Sequence, residues 1–427
     1  MMRIMQAEEF RPEDLKTPPI QAGNDIEAKV DEILRAVRER GDAALIAYTE
    51  KFDGVKLSNV LVSDEEIEEA FAGCDERFLQ TLRKAKENIQ SFHEKQKRAS
   101  FTVCEENGKV LGQRIIPLRR VGIYVPGGTA SLSSTVLMDA IPPKIAGVGE
   151  IVMATPPGKD GKVNADILCA AKIAGVTKIV KAGGAQAIAA LAFGTESVPA
   201  VDKIVGPGNI YVATAKRRVY GVVDIDMIAG PSEILVLADG KSDPAFVAAD
   251  LLSQAEHDRV ASAILVTDSG ELAVKVQAEV ENQLKKLPRK EIARVSIDNN
   301  GKIIVVKDLD AGIDIANLIA PEHLEICVDD PFQYLGRIES AGSVFLGRSA
   351  PEALGDYWAG PNHTLPTSGT ARFSSPLSVD DFVKKSQFIY YTREALRQAK
   401  DDITSFARRE GLDGHANSVA IRFGEGL

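Results

Sequence analysis

The chain has 427 residues, of which 44% are hydrophobic and 26% are charged, and its formal net charge is -10. This length predicts at least two domains, and the composition excludes a disordered, collagen-like or disulfide-stabilised chain. Clustered Lys and Arg are needed to neutralise nucleic-acid phosphates, so the acidic balance without a long basic run argues against a duplex nucleic-acid partner.

The first 20 residues carry scattered charges and no apolar core, so we expect no secretory signal. No apolar run is long enough to span a bilayer. The cysteines are far apart and form neither a CxxC pair nor a dense framework: Cys74, Cys104, Cys169 and Cys327. We therefore expect a cytoplasmic protein without a membrane partner, in which nitrogen and oxygen ligands hold any metal ion.

Two N-terminal segments, residues 25–53 and 64–99, are predicted to be helical. Apolar residues of the second segment recur at helical spacing: Phe78, Leu82, Ala85, Ile89 and Phe92. His93 lies beside this stripe in a run of charged residues, and we expect its side chain to be exposed to solvent.

From residue 121 onward, short β-branched runs alternate with Ala-rich helical stretches, and a second such series begins after residue 260. This pattern is typical of parallel sheets covered by helices. We therefore predict an α/β fold with two Rossmann-like parallel-sheet units, which could be copies of one another. A small N-terminal arm and a helical C-terminal appendage would complete the chain.

The predicted domain boundaries follow these changes in the pattern of predicted strands and helices. Residues 1–22 form the arm, and residues 23–121 together with 236–377 form a first, discontinuous α/β domain. Residues 122–235 form a second α/β domain, and residues 378–427 form the appendage.

Neither common nucleotide-binding motif is present. No G-x-G-x-x-G occurs, and Leu235 stands where a Walker loop ending in "GKS" at 240 would need its first glycine. Three glycine loops at strand ends remain: "YVPGGTA" at 124, "AGGAQA" at 182 and "GPGN" at 206. Glycines there let backbone N–H groups approach an anionic or planar ligand, although each loop could also be a plain turn.

The segment "SDPAFVAADLLSQAEHD" predicts a helix whose first residue is Pro244, capped by Ser242 or Asp243. Gln254 and His257 are three residues apart and lie on one side of it. Two side chains at this spacing can bind one metal ion, although taken alone they favour the polar edge of a helix.

Three further histidines lie beside carboxylates. Glu322 and His323 precede a strand in "APEHLEI" and could divide two proton transfers between them. The Gly/Pro-rich loop "GDYWAGPNHTLPTSG" carries Asp356 and His363.

The appendage carries Glu410 and His415. Taken together with Gln254, His257 and Asp356, His415 would suit zinc or another divalent first-row ion, with coordination positions left for a substrate. Spacing alone leaves three readings open: a metal-dependent oxidoreductase, a metal-dependent hydrolase and a binding protein with a structural metal.

Several of these segments resemble the signature segments of the histidinol dehydrogenases. The similar segments are "DIDMIAGPSEILVLAD", "DLLSQAEHD", "APEHLEI", "LGDYWAGPNHTLPTSGTARFSSPLSV" and "GGAQAIAALAFGTESVPAVDKIVGPGN". The resemblance is collinear and runs from about residue 25 to the end.

This resemblance implies a cytoplasmic zinc enzyme of histidine biosynthesis that oxidises L-histidinol through the aldehyde to L-histidine with two NAD+. It implies one Zn2+ per subunit, bound by Gln254, His257, Asp356 and His415. It also implies a homodimer in which the appendage reaches the partner's site. The discontinuous domain would carry the metal and catalytic residues, and the domain of residues 122–235 would bind NAD+.

The resemblance also assigns roles to single residues. Glu322 and His323 match the acid/base pair. Residues matching substrate contacts are Ser232, Gln254, His257, His323, Asp356, His363, Glu410 and His415. Residues matching cofactor contacts are Tyr124, Gln186 and Asn209.

We expect His323 to accept the alcohol proton during the first hydride transfer and Glu322 to activate water for the second oxidation. The alternative function is a zinc-dependent hydrolase in which Glu322 is the general base.

Overall fold

A computed structural model describes residues 1–11, 23–127, 132–228 and 230–426 of the chain. The chain divides into two compact units. The large unit consists of Met1–Gln96 and Leu118–Phe382, and the small unit consists of Lys97–Pro117 and Val383–Leu427.

Strands and helices alternate along most of the chain. The strands are β1 (Arg3–Gln6), β2 (Phe101–Cys104), β3 (Lys109–Pro117), β4 (Arg120–Tyr124), β5 (Glu150–Thr155), β6 (Lys178–Lys181), β7 (Lys203–Val205), β8 (Asp224–Ile225), β9 (Glu233–Ala238), β10 (Ser262–Thr267), β11 (Lys302–Val305), β12 (His323–Cys327), β13 (Ser343–Leu346) and β14 (Val383–Tyr391). The helices are α1 (Asn24–Asp53), α2 (Asp64–Gly73), α3 (Glu76–His93), α4 (Ser133–Ala146), α5 (Ala165–Ala174), α6 (Gly184–Phe193), α7 (Ile210–Val219), α8 (Pro244–Ala255), α9 (Gly270–Leu284), α10 (Lys290–Asn300), α11 (Leu309–Ile319), α12 (Phe332–Leu335), α13 (Glu352–Tyr357), α14 (Arg393–Arg409) and α15 (Asp413–Ala420).

The large unit contains two sheets in which every strand pair is parallel. The five-stranded sheet has the order β6-β5-β4-β7-β8, and the six-stranded sheet has the order β1-β11-β10-β9-β12-β13. In both sheets, the strand that comes first in its βαβ series, β4 or β9, lies in the middle. The second and third strands of the series lie on one side of it, and the fourth and fifth lie on the other. The predicted α/β fold with two Rossmann-like units is confirmed, and the common strand order agrees with two copies of one fold.

The short N-terminal strand β1 extends the six-stranded sheet by pairing with β11. The first residues of the predicted arm are therefore part of a sheet, while residues 12–22 lie outside the described residues. Strand β9 begins at Glu233, so the boundary expected between residues 235 and 236 falls inside a strand.

Helices α1 and α3 pack on the five-stranded sheet. Val37 and Leu45 of α1 share a core with Ile188 of α6, and Leu82 of α3 shares another with Ile123 of β4. The sequence-based division had grouped residues 23–121 with residues 236–377, and the observed packing differs from it. The amphipathic pattern of a helix shows that one face is buried, but it does not show which sheet buries that face.

The small unit contains the antiparallel sheet β14-β3-β2 and the helices α14 and α15. The C-terminal segment was expected to be helical throughout, but it begins with the nine-residue strand β14, paired along its whole length with β3. The β-branched and aromatic content of "VKKSQFIYY" favours a strand once a partner strand is present.

His93 is buried rather than exposed, contrary to expectation, and its Nδ1 donates a hydrogen bond to the Ile89 carbonyl at 2.8 Å. Burial lowers the pKa of this imidazole. Its role is structural, at the end of α3.

Within the described residues, no helix combines the length and the apolar character that crossing a bilayer requires.

Candidate active site

The predicted acid/base pair and one predicted substrate contact lie at the amino edge of the six-stranded sheet. Glu322 immediately precedes β12, and His323 is its first residue. Ser232 precedes β9 in the same way, and β9 is the parallel neighbour of β12, with His323 opposite Ile234. Parallel neighbouring strands in register start side by side, which places the three residues on one edge.

The chain enters β12 through a strained turn. Ala320 ends α11 in the left-handed conformation, with φ of 54°, and Pro321 follows it. The next residues are held to β13, because the Gly342 and Ser343 N–H groups donate to the carbonyls of Pro321 and Glu322, each at 2.9 Å. A left-handed alanine costs about 1 kcal/mol, and such strain is found mostly at functional sites.

A single residue, Glu233, holds both members of the acid/base pair through its backbone. Its N–H donates to Glu322 Oε2 at 2.8 Å, and its carbonyl accepts from His323 Nδ1 at 3.0 Å. A carbonyl can only accept, so Nδ1 carries the proton and Nε2 is the basic nitrogen. His323 Nε2 lies 4.0 Å from Asp356 Oδ1.

Burial shifts the pKa values of this pair in opposite directions. It raises the pKa of Glu322 well above 4.5, against the hydrogen bond from Glu233 N–H, and the neighbouring carboxylates Glu233, Asp356 and Glu352 raise it further. Burial lowers the pKa of His323 to about 4, against the attraction of Asp356. His323 is therefore a neutral imidazole at physiological pH, which is the form a general base requires.

The predicted helix that begins at Pro244 is confirmed as α8, but it ends at Ala255, so that Gln254 is in its last turn and His257 lies beyond its end. Asp243 caps it by accepting from Ala245 N–H, and Pro244 is its first residue. Because α8 returns to the start of β10, its C-terminal end lies at the same amino edge of the sheet as Glu322 and His323. This end carries Gln254, which is buried, and leads to His257, which is exposed.

Two acidic residues of α13 face the end of α8. Glu352 and Asp356 are four residues apart and so lie on one face of the helix. His257, Glu352 and Asp356 each offer a ligand atom within 4.8 Å of the others. Glu352 was not predicted, although its spacing from Asp356 is a signal that could have identified it.

The amide of Gln254 spans Glu352 and Glu233. With its nitrogen toward Glu352, it donates to Oε1 at 2.6 Å, and its oxygen accepts from Glu233 N–H at 3.2 Å. A cation between Gln254 and Glu352 would favour the reverse orientation, because two oxygens at that distance repel unless a positive charge separates them.

Behind this group lies a layer of buried acids. Glu352 accepts from Ser253 Oγ at 2.6 Å, and its N–H donates to Glu325 Oε1 at 2.8 Å. Burial raises the pKa of Glu352 to about 8 and that of Asp250 to about 6.

His363 closes another side of the site. Its Nδ1 donates to the Asp356 carbonyl at 3.2 Å and lies 3.8 Å from Asp356 Oδ1. Burial lowers the pKa of this imidazole.

The predicted cofactor residues meet at the carboxyl edge of the five-stranded sheet. Gln186 and Asn209 line a cavity of about 610 Å³, together with Gly183 and Gly184 of the second glycine loop. Tyr124 ends β4, and its hydroxyl accepts from Gly184 N–H at 3.0 Å. Burial raises the pKa of Tyr124 to about 12. Asn209 caps α7 by accepting from the N–H groups of residues 211 and 212.

The first predicted glycine loop is described only in part, since residues 128–131 lie outside the described residues. In the third, Gly206 has a φ of 109°, and a side chain there would collide with the Tyr124 carbonyl. The helices that follow the second and third loops present their N-termini to the cavity, an arrangement that suits an anionic ligand.

The remaining predicted residues, Glu410 and His415, belong to the small unit. Glu410 follows α14 and His415 lies on α15, and both side chains are exposed. Their roles stay predictions.

A family model for histidinol dehydrogenase matches residues 17–423. Histidinol dehydrogenase of Clostridium acetobutylicum is 58% identical over 391 residues, which cover 92% of this chain and 91% of the relative. The Bacillus thuringiensis subsp. konkukian enzyme of the same name is also 58% identical, over 94% of this chain and 93% of its own length. The chain belongs to the histidinol dehydrogenase family.

A solved structure of histidinol dehydrogenase from Elizabethkingia anophelis agrees in fold. It is 40% identical and superimposes with a TM-score of 0.94, over 99% of this chain and 98% of its own. Histidinol dehydrogenases are NAD-dependent oxidoreductases of histidine biosynthesis, and this chain is an enzyme of that class.

The donor set around the end of α8 fits a divalent first-row ion such as zinc. It offers the His257 imidazole, the Glu352 and Asp356 carboxylates and the Gln254 amide, which lie on or next to α8 and α13. When ionised, the buried carboxylates would also need a counter-charge, because an unpaired buried carboxylate is costly.

Without metal, Glu352 should make stability depend on pH. In the unfolded chain its carboxyl ionises near pH 4.5, whereas the folded protein retains the proton until about pH 8. The stability that the proton contributes is therefore lost as pH rises from about 4.5 through 8. We expect Glu352→Gln, which cannot ionise, to gain on the order of 3 kcal/mol over the wild type between pH 5 and pH 8.

Urea unfolding of both proteins at pH 5, 6.5 and 8, after chelation, measures this difference. Glu339→Gln changes an exposed glutamate and is the matched control. A constant difference between wild type and Glu352→Gln across this range would contradict the prediction.

Proposed function

We propose that this enzyme oxidises L-histidinol through L-histidinaldehyde to L-histidine, with two NAD+ per product. The observation that carries the proposal is the pairing of Glu322 and His323 on the backbone of Glu233, beside the donors His257 and Asp356. An acid/base pair next to a metal-binding group is what an amino alcohol with an imidazole requires.

One Zn2+ per subunit would be held by Gln254, His257, Asp356 and His415, with His415 supplied by the partner subunit. When bound, zinc would hold the imidazole and amine nitrogens of histidinol and so fix its carbinol carbon, without itself accepting electrons. Glu352 lies beside these donors, and in the metal-free site its carboxylate would accept from the Gln254 amide.

In the first oxidation, His323 Nε2 accepts the proton of the substrate hydroxyl while hydride leaves for NAD+. The Glu233 carbonyl holds Nδ1–H and therefore keeps the basic nitrogen directed at the substrate. The imidazolium that forms is stabilised by Asp356.

In the second oxidation, Glu322 accepts a proton from the water that attacks the aldehyde. Its raised pKa makes the ionised carboxylate a stronger base than an exposed glutamate. As the water adds, the His323 imidazolium returns its proton to the carbonyl oxygen, which yields the hydrate. His323 then accepts a proton from this hydrate as the second hydride leaves for NAD+, which yields the acid.

Other residues would bind the substrate. We assign this role to Ser232 and His363 at the sheet edge and to Glu410 of the partner subunit. Gln254, His257, His323, Asp356 and His415 would also contact it, directly or through the metal.

NAD+ would bind at the carboxyl edge of the five-stranded sheet, against Tyr124, Gln186 and Asn209. The glycine loops and helix N-termini around the cavity of about 610 Å³ support this assignment. A hydrolase with Glu322 as general base would not require a dinucleotide-binding cavity.

We also propose a homodimer formed through the small unit. The amphipathic helix α14 exposes Phe406, of which 70% is accessible, and strand β14 exposes Ile389, of which 74% is accessible. Apolar side chains of this size are normally covered, and a second copy of the chain would cover them. We place the enzyme in the cytoplasm, where NAD+ is supplied for each turnover.

The reaction and the metal can be tested together. We expect two NADH per L-histidine formed, and His257→Ala should lower both zinc content and turnover, the latter by more than about a hundredfold, because a misplaced substrate reacts slowly. Metal analysis, NADH absorbance and product quantification measure these outcomes.

Arg259→Ala, two residues away and exposed, is the control. Turnover without NADH formation would support the hydrolase, and full activity of metal-free His257→Ala would refute the metal site.

The division of work within the acid/base pair predicts unequal effects of Glu322→Gln. The glutamine still accepts from Glu233 N–H but is not a base, so oxidation of L-histidinaldehyde should fall about 10²–10³-fold, whereas oxidation of L-histidinol to the aldehyde should fall less than about tenfold. Rapid-mixing kinetics of the first NADH, compared with turnover of supplied aldehyde, separate the halves. Equal losses would refute the division.

A site shared between subunits predicts complementation. His257→Ala and His415→Ala homodimers should each be inactive, but a hybrid dimer would place both substitutions in one site and leave the other intact. Refolding equal amounts of the two variants together should therefore restore about a quarter of wild-type activity. No recovery, with hybrid dimers shown by mass spectrometry, would place His415 in its own subunit's site.

A further inference from the structure

The cavity at the five-stranded sheet contains an acid that has no role in the function proposed above. Asp53, the last residue of α1, lines this cavity together with Gln186 and Asn209. Its Oδ2 is buried and has no hydrogen-bond partner among the described residues. Such an atom is costly unless a ligand or water donates to it.

Asp53 lies close to the predicted cofactor residues. Its charge contributes to the raised pKa of Tyr124, whose hydroxyl is bonded to Gly184 at the start of α6. Burial also raises the pKa of Asp53 itself. Asp53 and the second glycine loop, at Gly183 and Gly184, therefore line the same cavity.

In ordinary dinucleotide-binding sheets, an acid at the end of the second strand binds the hydroxyls of the adenosine ribose. The second strand here is β5, which ends at Thr155 and is followed by Pro156 and Pro157. Pro156 packs against the first and second glycine loops. A Cβ on Gly127 would lie 2.2 Å from Pro156 Cγ, and one on Gly183 would lie 2.8 Å from Pro156 Cβ. The usual position of the acid is thus taken by a proline.

The surroundings of Asp53 suit the adenosine half of a dinucleotide. Tyr48 and Phe52 stack with ring centroids 5.7 Å apart at the rim of the cavity, and Lys29 and Lys51 also line it. A purine can extend an aromatic stack, and the lysines favour the phosphates.

We propose that Asp53 accepts hydrogen bonds from the adenosine ribose hydroxyls of NAD+ and thereby selects NAD+ over NADP+. The proposal rests on the cofactor site assigned under the proposed function. A carboxylate accepts from a vicinal diol, and it repels the 2′-phosphate that NADP+ carries at the same place. The cofactor-selecting acid would thus come from α1, which precedes the sheet, rather than from β5.

The test compares steady-state kinetics of Asp53→Asn and the wild type with NAD+ and NADP+ at saturating L-histidinol. We expect the KM for NAD+ to rise about 10–100-fold with little change in kcat, as for loss of a charge-assisted hydrogen bond. The ratio of kcat/KM for NADP+ to that for NAD+ should rise at least about tenfold. Asp53→Ser, which leaves room for a phosphate, should raise this ratio further.

Glu50→Gln removes the same charge from an exposed position of α1 and should leave both cofactors unaffected. Thermal unfolding and zinc content of each variant report on folding and on the metal site. Equal losses with both cofactors, or an unchanged ratio in both Asp53 variants, would overturn the proposal while leaving the NAD+ site standing. A wild type that binds no NAD+ in a direct titration would instead overturn the proposed cofactor site, and this inference with it.

Discussion

The candidate site depends on the backbone of one residue. Glu233 binds the Glu322 carboxylate through its N–H and the His323 imidazole through its carbonyl, so the separation and the tautomer of the acid/base pair are fixed by backbone atoms. This arrangement exists only because β9 and β12 are parallel neighbours in a register that sets His323 opposite Ile234. A shift of one residue would turn every side chain of β12 to the other face. The left-handed Ala320 at the entry to β12 is one local cost of holding this register.

Burial then determines the acid–base properties of Glu322 and His323. The same low-polarity surroundings raise the pKa of Glu322 and lower that of His323, because they disfavour the charged form of each. The buried acids Glu352 and Glu325 and the half-buried Asp250 extend this layer away from the pair. So many carboxyls can be buried together only if they keep protons or face a cation, which ties the proposed metal to the stability of the fold as well as to the reaction.

The two sheets share one strand order but present their sites at opposite edges. The five-stranded sheet has its cavity at the carboxyl edge, where open parallel sheets usually bind ligands. In the six-stranded sheet the candidate site is at the amino edge. At the carboxyl ends of β9 and β12, Arg348 pairs with Asp239 at 2.6 Å and Ser242 donates to the Cys327 carbonyl at 2.7 Å. An ion pair between the segments that follow β13 and β9, and a hydrogen bond between those at the ends of β9 and β12, thus occupy the edge where a ligand crevice would otherwise open.

The sequence by itself determined the parallel strands, the capped helix α8 and the motif residues, because hydrophobic period, caps and motif spacing are local properties. It also placed Glu322 and His323 at a strand entry. Only the tertiary structure decided that α1 and α3 pack on the five-stranded sheet, that His93 is buried and that residues 383–391 form a strand. It alone brought Glu352 to Gln254 and Asp53 to the cavity. These outcomes depend on which distant segments meet, and a helical stripe or an isolated acid carries no information about its partner.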